Sequence, residues 1–328
     1  MKNIPPQQLR FEAPDESHSA ELQQPKQLSP SQENRDSVHI PVLLEDVVRL
    51  LNPHEGETYL DLTAGYGGHA SRIIDVIGPS AATLVDRDAR AITHLSGYGQ
   101  KGAELVHTDF ATAAQHLADA GRKFDMMLVD LGVSSPQLDM AERGFSIKRD
   151  GPLDMRMDES GTRTAADIVN RASEKELAHI IEQYGQETRA KAVRIAHTIR
   201  LNRPLRTTHQ LADVILSIHR GAYQKIHPAT RTFQAIRIVL NDELSQIEKL
   251  MPLIPRLLNP GGRVAVISFH SLEDRIVKQY FAEQTESGYE ANMKLLIKKP
   301  ILGADISSIH HDHNPRARSA ILRAAVKI

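Results

Sequence analysis

The sequence predicts an α/β protein, a doubly wound, mostly parallel, Rossmann-like sheet with an inserted helical domain. Three observations predict it. Short apolar strand patterns alternate with helical ones from about residue 39 onward. A glycine-rich turn joins the first strand pattern to a helix. Between about residues 138 and 230 helical patterns follow one another without strands.

Each element follows from its residues. Val42, Leu43, Val47, Leu50 and Leu51 recur at helical spacing. Residues 58–62 read as a short buried strand, followed by Gly65-Tyr-Gly-Gly68 and a helix through Ile74. Residues 82–85, 104–106 and 126–131 read as three more strands, and 263–268 as a fifth after the turn Asn259-Pro-Gly-Gly262. The late apolar runs 295–297 and 320–326 are expected to form an antiparallel pair. In the helical stretch, Ser173-Glu-Lys-Glu176 has the form of a capping box, with Leu177, Ile180, Ile181 and Tyr184 as the apolar face behind it. Thr207-Thr-His-Gln210 is a second box, ahead of Leu211, Val214, Ile215 and Ile218. Pro228 suits a helix N-terminus, and Ile236, Leu240, Leu244 and Ile247 continue as one stripe toward the sheet. The expected organisation is a disordered tail over 1–37, a sheet domain from 38–137 and 231–328, and an inserted helical domain over 138–230.

Composition narrows the function classes. The chain has 328 residues, 41% hydrophobic and 25% charged, with no apolar run near the roughly 20 residues needed to span a bilayer. It has no cysteine, which excludes disulfides, thiolate-bound zinc and thiol catalysis. The first residues carry Glu12, Asp15, Glu16 and Glu21 and lack a secretory pattern, so a cytoplasmic location is expected. Net charge is −1, yet the stretch 187–237 holds ten Lys/Arg against Glu187 and Asp213. Such a stretch is either a set of solvated helix faces or a surface that follows a phosphate backbone.

The turn after the first strand carries the chemistry. Glycines at 65, 67 and 68 let a backbone turn sharply and a ligand approach closely at the carboxyl edge of a parallel sheet. Gly65-x-Gly67-x-x-Ala70 also fits a dinucleotide fingerprint, which keeps a nicotinamide-dependent oxidoreductase in view. Three acids favour S-adenosylmethionine instead. Asp61 ends the first strand and suits the ammonium of a methionine moiety, Asp86 ends the second and suits ribose hydroxyls, and Asp130 ends the fourth. A tight turn whose acids merely cap helices is the plainer alternative.

Two segments point to the acceptor. Asp130-Leu-Gly-Val-Ser134-Ser-Pro-Gln137 is a partial echo of the acidic or serine residue followed by Pro-Pro-aromatic found in amino-methyltransferases. Methylating an exocyclic amine requires hydrogen-bond acceptors for the amino group as it becomes tetrahedral. Asp130 and the Ser134-Ser-Pro136 backbone are the candidates. At the end of the fifth strand Phe269 suits stacking on a base, and His270 a contact or proton relay. The plainer reading makes Phe269 core and Ser271 a helix cap.

The segments His39-Ile-Pro-Val-Leu-Leu44, Asp130 to Leu138, Glu142-Arg-Gly-Phe145, Gly151-Pro-Leu-Asp-Met-Arg-Met-Asp158, His227 to Ala235, Ser268-Phe-His-Ser-Leu-Glu-Asp-Arg275 and Asn314-Pro-Arg-Ala-Arg-Ser-Ala320 resemble the bacterial MraW, or RsmH, family. The resemblance runs in order over about 290 residues. It implies a class I methyltransferase fold and transfer from S-adenosylmethionine to the N4 amine of a cytosine in the decoding region of small-subunit (16S) ribosomal RNA. It implies cofactor contacts at Gly67, Gly68, His69, Asp86, Phe110, Asp130 and Gln137, a helical insert that helps hold RNA, and an assembling subunit as substrate. No membrane partner or metal is expected, and a homodimer is compatible with the sequence. A ribosome-assembly factor without activity is the rival reading. Gln186 stands where the family usually has glutamate, the tail is unmatched, and His310-His-Asp-His313 replaces a usually acidic stretch and reads as a loop beside Asn314-Pro315.

Overall fold

A computed structural model describes residues 41–219, 227–286, 291–306 and 317–328. The predicted tail and the 310–313 histidine cluster lie outside the described residues. The strands are β1 (Tyr59–Asp61), β2 (Ala82–Asp86), β3 (Glu104–His107), β4 (Phe124–Asp130), β5 (Leu258–Ser268), β6 (Met293–Leu295), β7 (Ile301–Leu302) and β8 (Ile321–Lys327). They form one sheet in the order β3-β2-β1-β4-β5-β8-β6, with β7 paired to β8. The first five run parallel, and β8 enters antiparallel beside β5.

Side-chain alternation builds a core on each face of the sheet. Leu60, Val85, Met127, Val129, Val264 and Val266 pack beneath the helices Phe110–Asp119, Glu243–Leu250 and Ser271–Glu286. Their strand neighbours Tyr59, Leu84, Met126, Leu128, Ala265 and Ile267 pack on the other face beneath Leu44–Leu51 and Gly68–Ile77. A third core joins the helices Ala165–Arg171, Glu174–Gly185, Arg189–Leu201 and Thr208–Ser217 to the first half of Thr230–Asn241. The described residues belong to one compact unit. No helix among the described residues is long and apolar enough to cross a membrane.

Three expectations change in detail. The Asn259–Gly262 turn lies inside β5: Leu258 pairs with Phe124, Arg263 with Met126, and the four residues between are looped out. The terminal pair forms earlier than expected, with Lys294 opposite Val326. The stripe from Ile236 to Ile247 is split between two helices. Asp242, in the left-handed region at φ 53, ends Thr230–Asn241, so Ile236 faces the insert core and Ile247 the sheet. Both expected capping boxes are formed, at Ser173 and Thr207.

Candidate functional site

The parallel strands end in Asp61, Asp86 and Asp130, which puts the three carboxyls along one sheet edge. The glycine turn sits between the first two. Gly67 has φ 80, a conformation that favours glycine, and its neighbour Gly68 leaves room for Pro41, whose ring carbon would lie 2.5 Å from an added Cβ. Gly65 donates its N–H to Asp86 Oδ2 at 2.8 Å, and Asp88 donates to Asp86 Oδ1 at 2.7 Å. Among the described residues each oxygen of Asp86 accepts one bond, which leaves each a further lone pair.

Asp61 ends β1 as expected. It is 1% exposed; Tyr59 donates its hydroxyl to Oδ2 at 2.7 Å, and Thr63 its N–H to Oδ1 at 3.1 Å. Burial pushes its carboxyl up to about 7. Burial likewise raises Asp86, and raises Asp130 well above the usual carboxylate range with the help of Asp61 and Glu273. Asp130 is held by its backbone N–H on Thr63 Oγ1 at 2.6 Å, while its Oδ1 is buried without a hydrogen-bond partner. His69, buried at the start of the helix Gly68–Ile77, donates Nε2–H to the Val42 carbonyl at 3.0 Å. Its Nδ1 lies 3.7 Å from Asp130 Oδ2.

The loop after β4 is a capping box. Ser134 Oγ accepts from Gln137 N–H, and Gln137 Oε1 accepts from Ser134 N–H at 3.0 Å. The Ser134 hydroxyl is thus committed to a helix end. Gln137 is buried and spends its amide on Asp88 Oδ2 at 3.0 Å, so its side chain braces the edge. Phe110 opens the helix after β3 and packs against the first sheet core.

Beyond β5, Phe269 packs partly into the second core and lies over Gly132, where an added Cβ would meet its ring at 3.4 Å. The cap of the next helix is His270 rather than Ser271. Its Nδ1 accepts from Glu273 N–H at 3.3 Å, and Glu273 Oε2 accepts from the N–H groups of Phe269 and His270 at 2.7 and 3.2 Å. The imidazole is held through Nδ1, and its Nε2 lies 3.2 Å from Glu273 Oε1 without a hydrogen bond forming between them. Burial and Arg237 push its pKa down to about 3, and burial pushes Glu273 up to about 7. Behind it, Arg237 bonds both oxygens of Glu243 at 2.8 Å.

Glu243, His270 and Glu273 have the spacing of a metal site. Arg237 already holds both oxygens of Glu243, and Glu273 Oε2 is engaged by two backbone N–H groups, whereas His270 Nε2 and Glu273 Oε1 are buried without a hydrogen-bond partner among the described residues. The sequence reading missed this group, although His270-x-x-Glu273 ahead of a helix has the spacing of a capping box. Of the basic stretch, Arg203 and Arg237 turn inward, Arg203 onto the carbonyls of Val169 and Ala172. Arg189, Arg194, Arg200, Arg206 and Arg231 are exposed, whereas Arg220 and Lys225 lie outside the described residues. Gln186 accepts from the Ser271 hydroxyl at 2.8 Å.

A model of the MraW methylase family matches residues 36–328. The chain is 45% identical over 300 residues to the ribosomal RNA small subunit methyltransferase H of Acidobacterium capsulatum, covering 88% of this chain and 98% of that one. It is 46% identical over 299 residues to the protein of that name from a Synechocystis species, covering 89% and 94%. The counterpart from a Cyanothece species is 44% identical over 303 residues, covering 91% and 98%.

Proposed function

The chain belongs to the MraW methylase family, and we propose that it transfers a methyl group from S-adenosylmethionine to the exocyclic N4 of a cytosine in the decoding region of small-subunit ribosomal RNA. The observation that carries this reading is Asp130 Oδ1, a buried acceptor without a partner at the carboxyl edge of the sheet. Relatives named for small-subunit ribosomal RNA support the acceptor class.

The residues divide the work. Asp86 holds the ribose hydroxyls, the turn Gly65 to Gly68 admits the donor backbone, and Phe110 packs beside the adenine. The bound donor supplies an electrophilic methyl carried on a cationic sulfonium. Three crowded carboxyls with raised pKa values suit that charge, since a neighbouring cation favours their ionised form. Ionised Asp130 accepts the N4–H hydrogen bond, steers the amine lone pair toward the methyl, and takes the proton as the new N–C bond forms. Its raised pKa makes it the stronger base for that step. Phe269, over Gly132, offers a face for the flipped base, and the Ser134 box fixes the intervening loop. The insert, over 138–230, presents the exposed arginines to the RNA backbone, and an assembling subunit provides an accessible loop.

The test is incubation of the purified chain with labelled S-adenosylmethionine and naked RNA, DNA or immature small subunits, with the modified nucleoside identified by mass spectrometry. N4-methylcytidine in subunit RNA is expected. Label confined to DNA, or RNA binding without transfer, would overturn the reading.

A further inference from the structure

Arg143 is the largest fully buried side chain of the described residues, and it is charged. Its Nη1 bonds Asp88 Oδ2 at 2.6 Å, and its Nη2 donates to the carbonyls of Arg156 and Met157 at 3.0 and 3.1 Å. Asp88 is itself 2% exposed. A buried ion pair adds little net stability over an apolar pair, because desolvation offsets the attraction; what it selects is one arrangement of the segments it joins. Here those segments are informative. Asp88 directs its own N–H to Asp86, caps the helix Ala89–His94 through Arg90 N–H, and receives the amide of Gln137. Arg87 reaches the Asn241 carbonyl at 3.0 Å, and Arg90 pairs with Glu159 at 2.9 Å. Three side chains just after Asp86, those of Arg87, Asp88 and Arg90, are therefore clasped by residues beyond β4.

We propose that Arg143 and Asp88 are positioning residues for the methyl donor: the pair holds the Asp86 loop and the Ser134–Gln137 box in one register, so the ribose site is built only when the segment 140–159 is docked. The segments Glu142 to Phe145 and Gly151 to Asp158 then serve the donor side of the reaction, although they follow the acceptor loop in sequence. The proposal rests on the reading of the β2 edge as the donor's ribose site.

The test compares S-adenosylmethionine binding by calorimetry with steady-state kinetics for Arg143→Met, Asp88→Asn and a control, Arg263→Met. Arg263 is paired with Glu57 at the opposite end of the sheet, away from the site. Arg143→Met is expected to raise the donor Kd at least about tenfold, equivalent to about 1.4 kcal/mol. The donor KM should rise with it, by a larger factor than the acceptor KM rises or the kcat at saturating donor falls. Asp88→Asn moves the donor Kd in the same direction and serves if Arg143→Met does not fold. The control lowers Tm without moving the donor Kd. A donor Kd within about twofold of wild type in a folded Arg143→Met or Asp88→Asn protein would overturn the positioning role. Failure of the wild-type chain itself to bind S-adenosylmethionine would instead overturn the donor reading on which it rests.

Discussion

Asp61 and Asp130 end neighbouring strands, so their carboxyls share a poorly solvated edge and each raises the cost of ionising the other. Replacing Asp130 by Asn keeps the shape and removes the anionic acceptor. Methyl transfer at saturating donor should fall roughly a hundred- to a thousandfold in single-turnover assays, and a loss below about tenfold would exclude Asp130 as proton acceptor. The same crowding has a stability signature. Burial pushes Asp61 and Glu273 up to about 7 in the folded chain, far above their unfolded values. The folded protein thus holds protons that the unfolded chain has already lost, and stability declines as pH rises through that value. His270 works in the opposite sense, but only below about pH 6.5, above which it is neutral in both states. The Tm of the ligand-free chain should therefore drop between about pH 6.5 and 8; a flat or rising Tm would mean these carboxyls ionise normally in the fold.

Helix ends are the points at which this chain attaches one element to another. Asn241 closes the helix Thr230–Asn241 and reaches across to a different segment, accepting from Met157 N–H and donating to the Met155 carbonyl, both at 2.9 Å. The chain then reverses at Asp242 and a new helix begins under the sheet. One amide therefore decides where insert core ends and sheet core begins. Asn241→Leu would bury two orphaned backbone groups, at about 1–3 kcal/mol each. Urea unfolding is expected to record a loss of about 2–4 kcal/mol, and a loss below about 0.5 kcal/mol would show that solvent reaches the two groups.

Across the whole molecule, a net charge of −1 conceals an acidic sheet edge and a basic stretch over 187–237. The exposed arginines of the insert face water with acids as partners in some cases and not in others: Arg189 pairs with Glu182 and Arg200 with Glu174. Arg194 and Arg206 are exposed side chains that can be replaced without dismantling a core. If they contact RNA phosphates, the Arg194→Ala/Arg206→Ala chain should bind RNA with a salt dependence shallower by about 0.7 per lost contact in log K against log salt. An unchanged slope in filter binding would place the RNA on another face.

What was legible in the residues was whatever is local. Short apolar runs alternating with helical patterns marked five parallel strands, the glycine turn followed from backbone sterics, and the acids at strand ends had to share one edge once the strands were parallel. Capping boxes at Ser173 and Thr207 were readable because both partners lie within one turn of helix. Tertiary structure alone decided the rest. Asp88 and Arg143 are 55 residues apart, and nothing in either segment announces the other. Arg203 and Arg237 carry the same charge as their exposed neighbours, but packing turned them inward. Asp61 kept its place on the edge, and folding added the partners Tyr59 and Thr63, one on each oxygen. A sequence states which charges a chain carries and how often they recur. Which of them leave water, and which partner each must then find, depends on segments brought together only by folding.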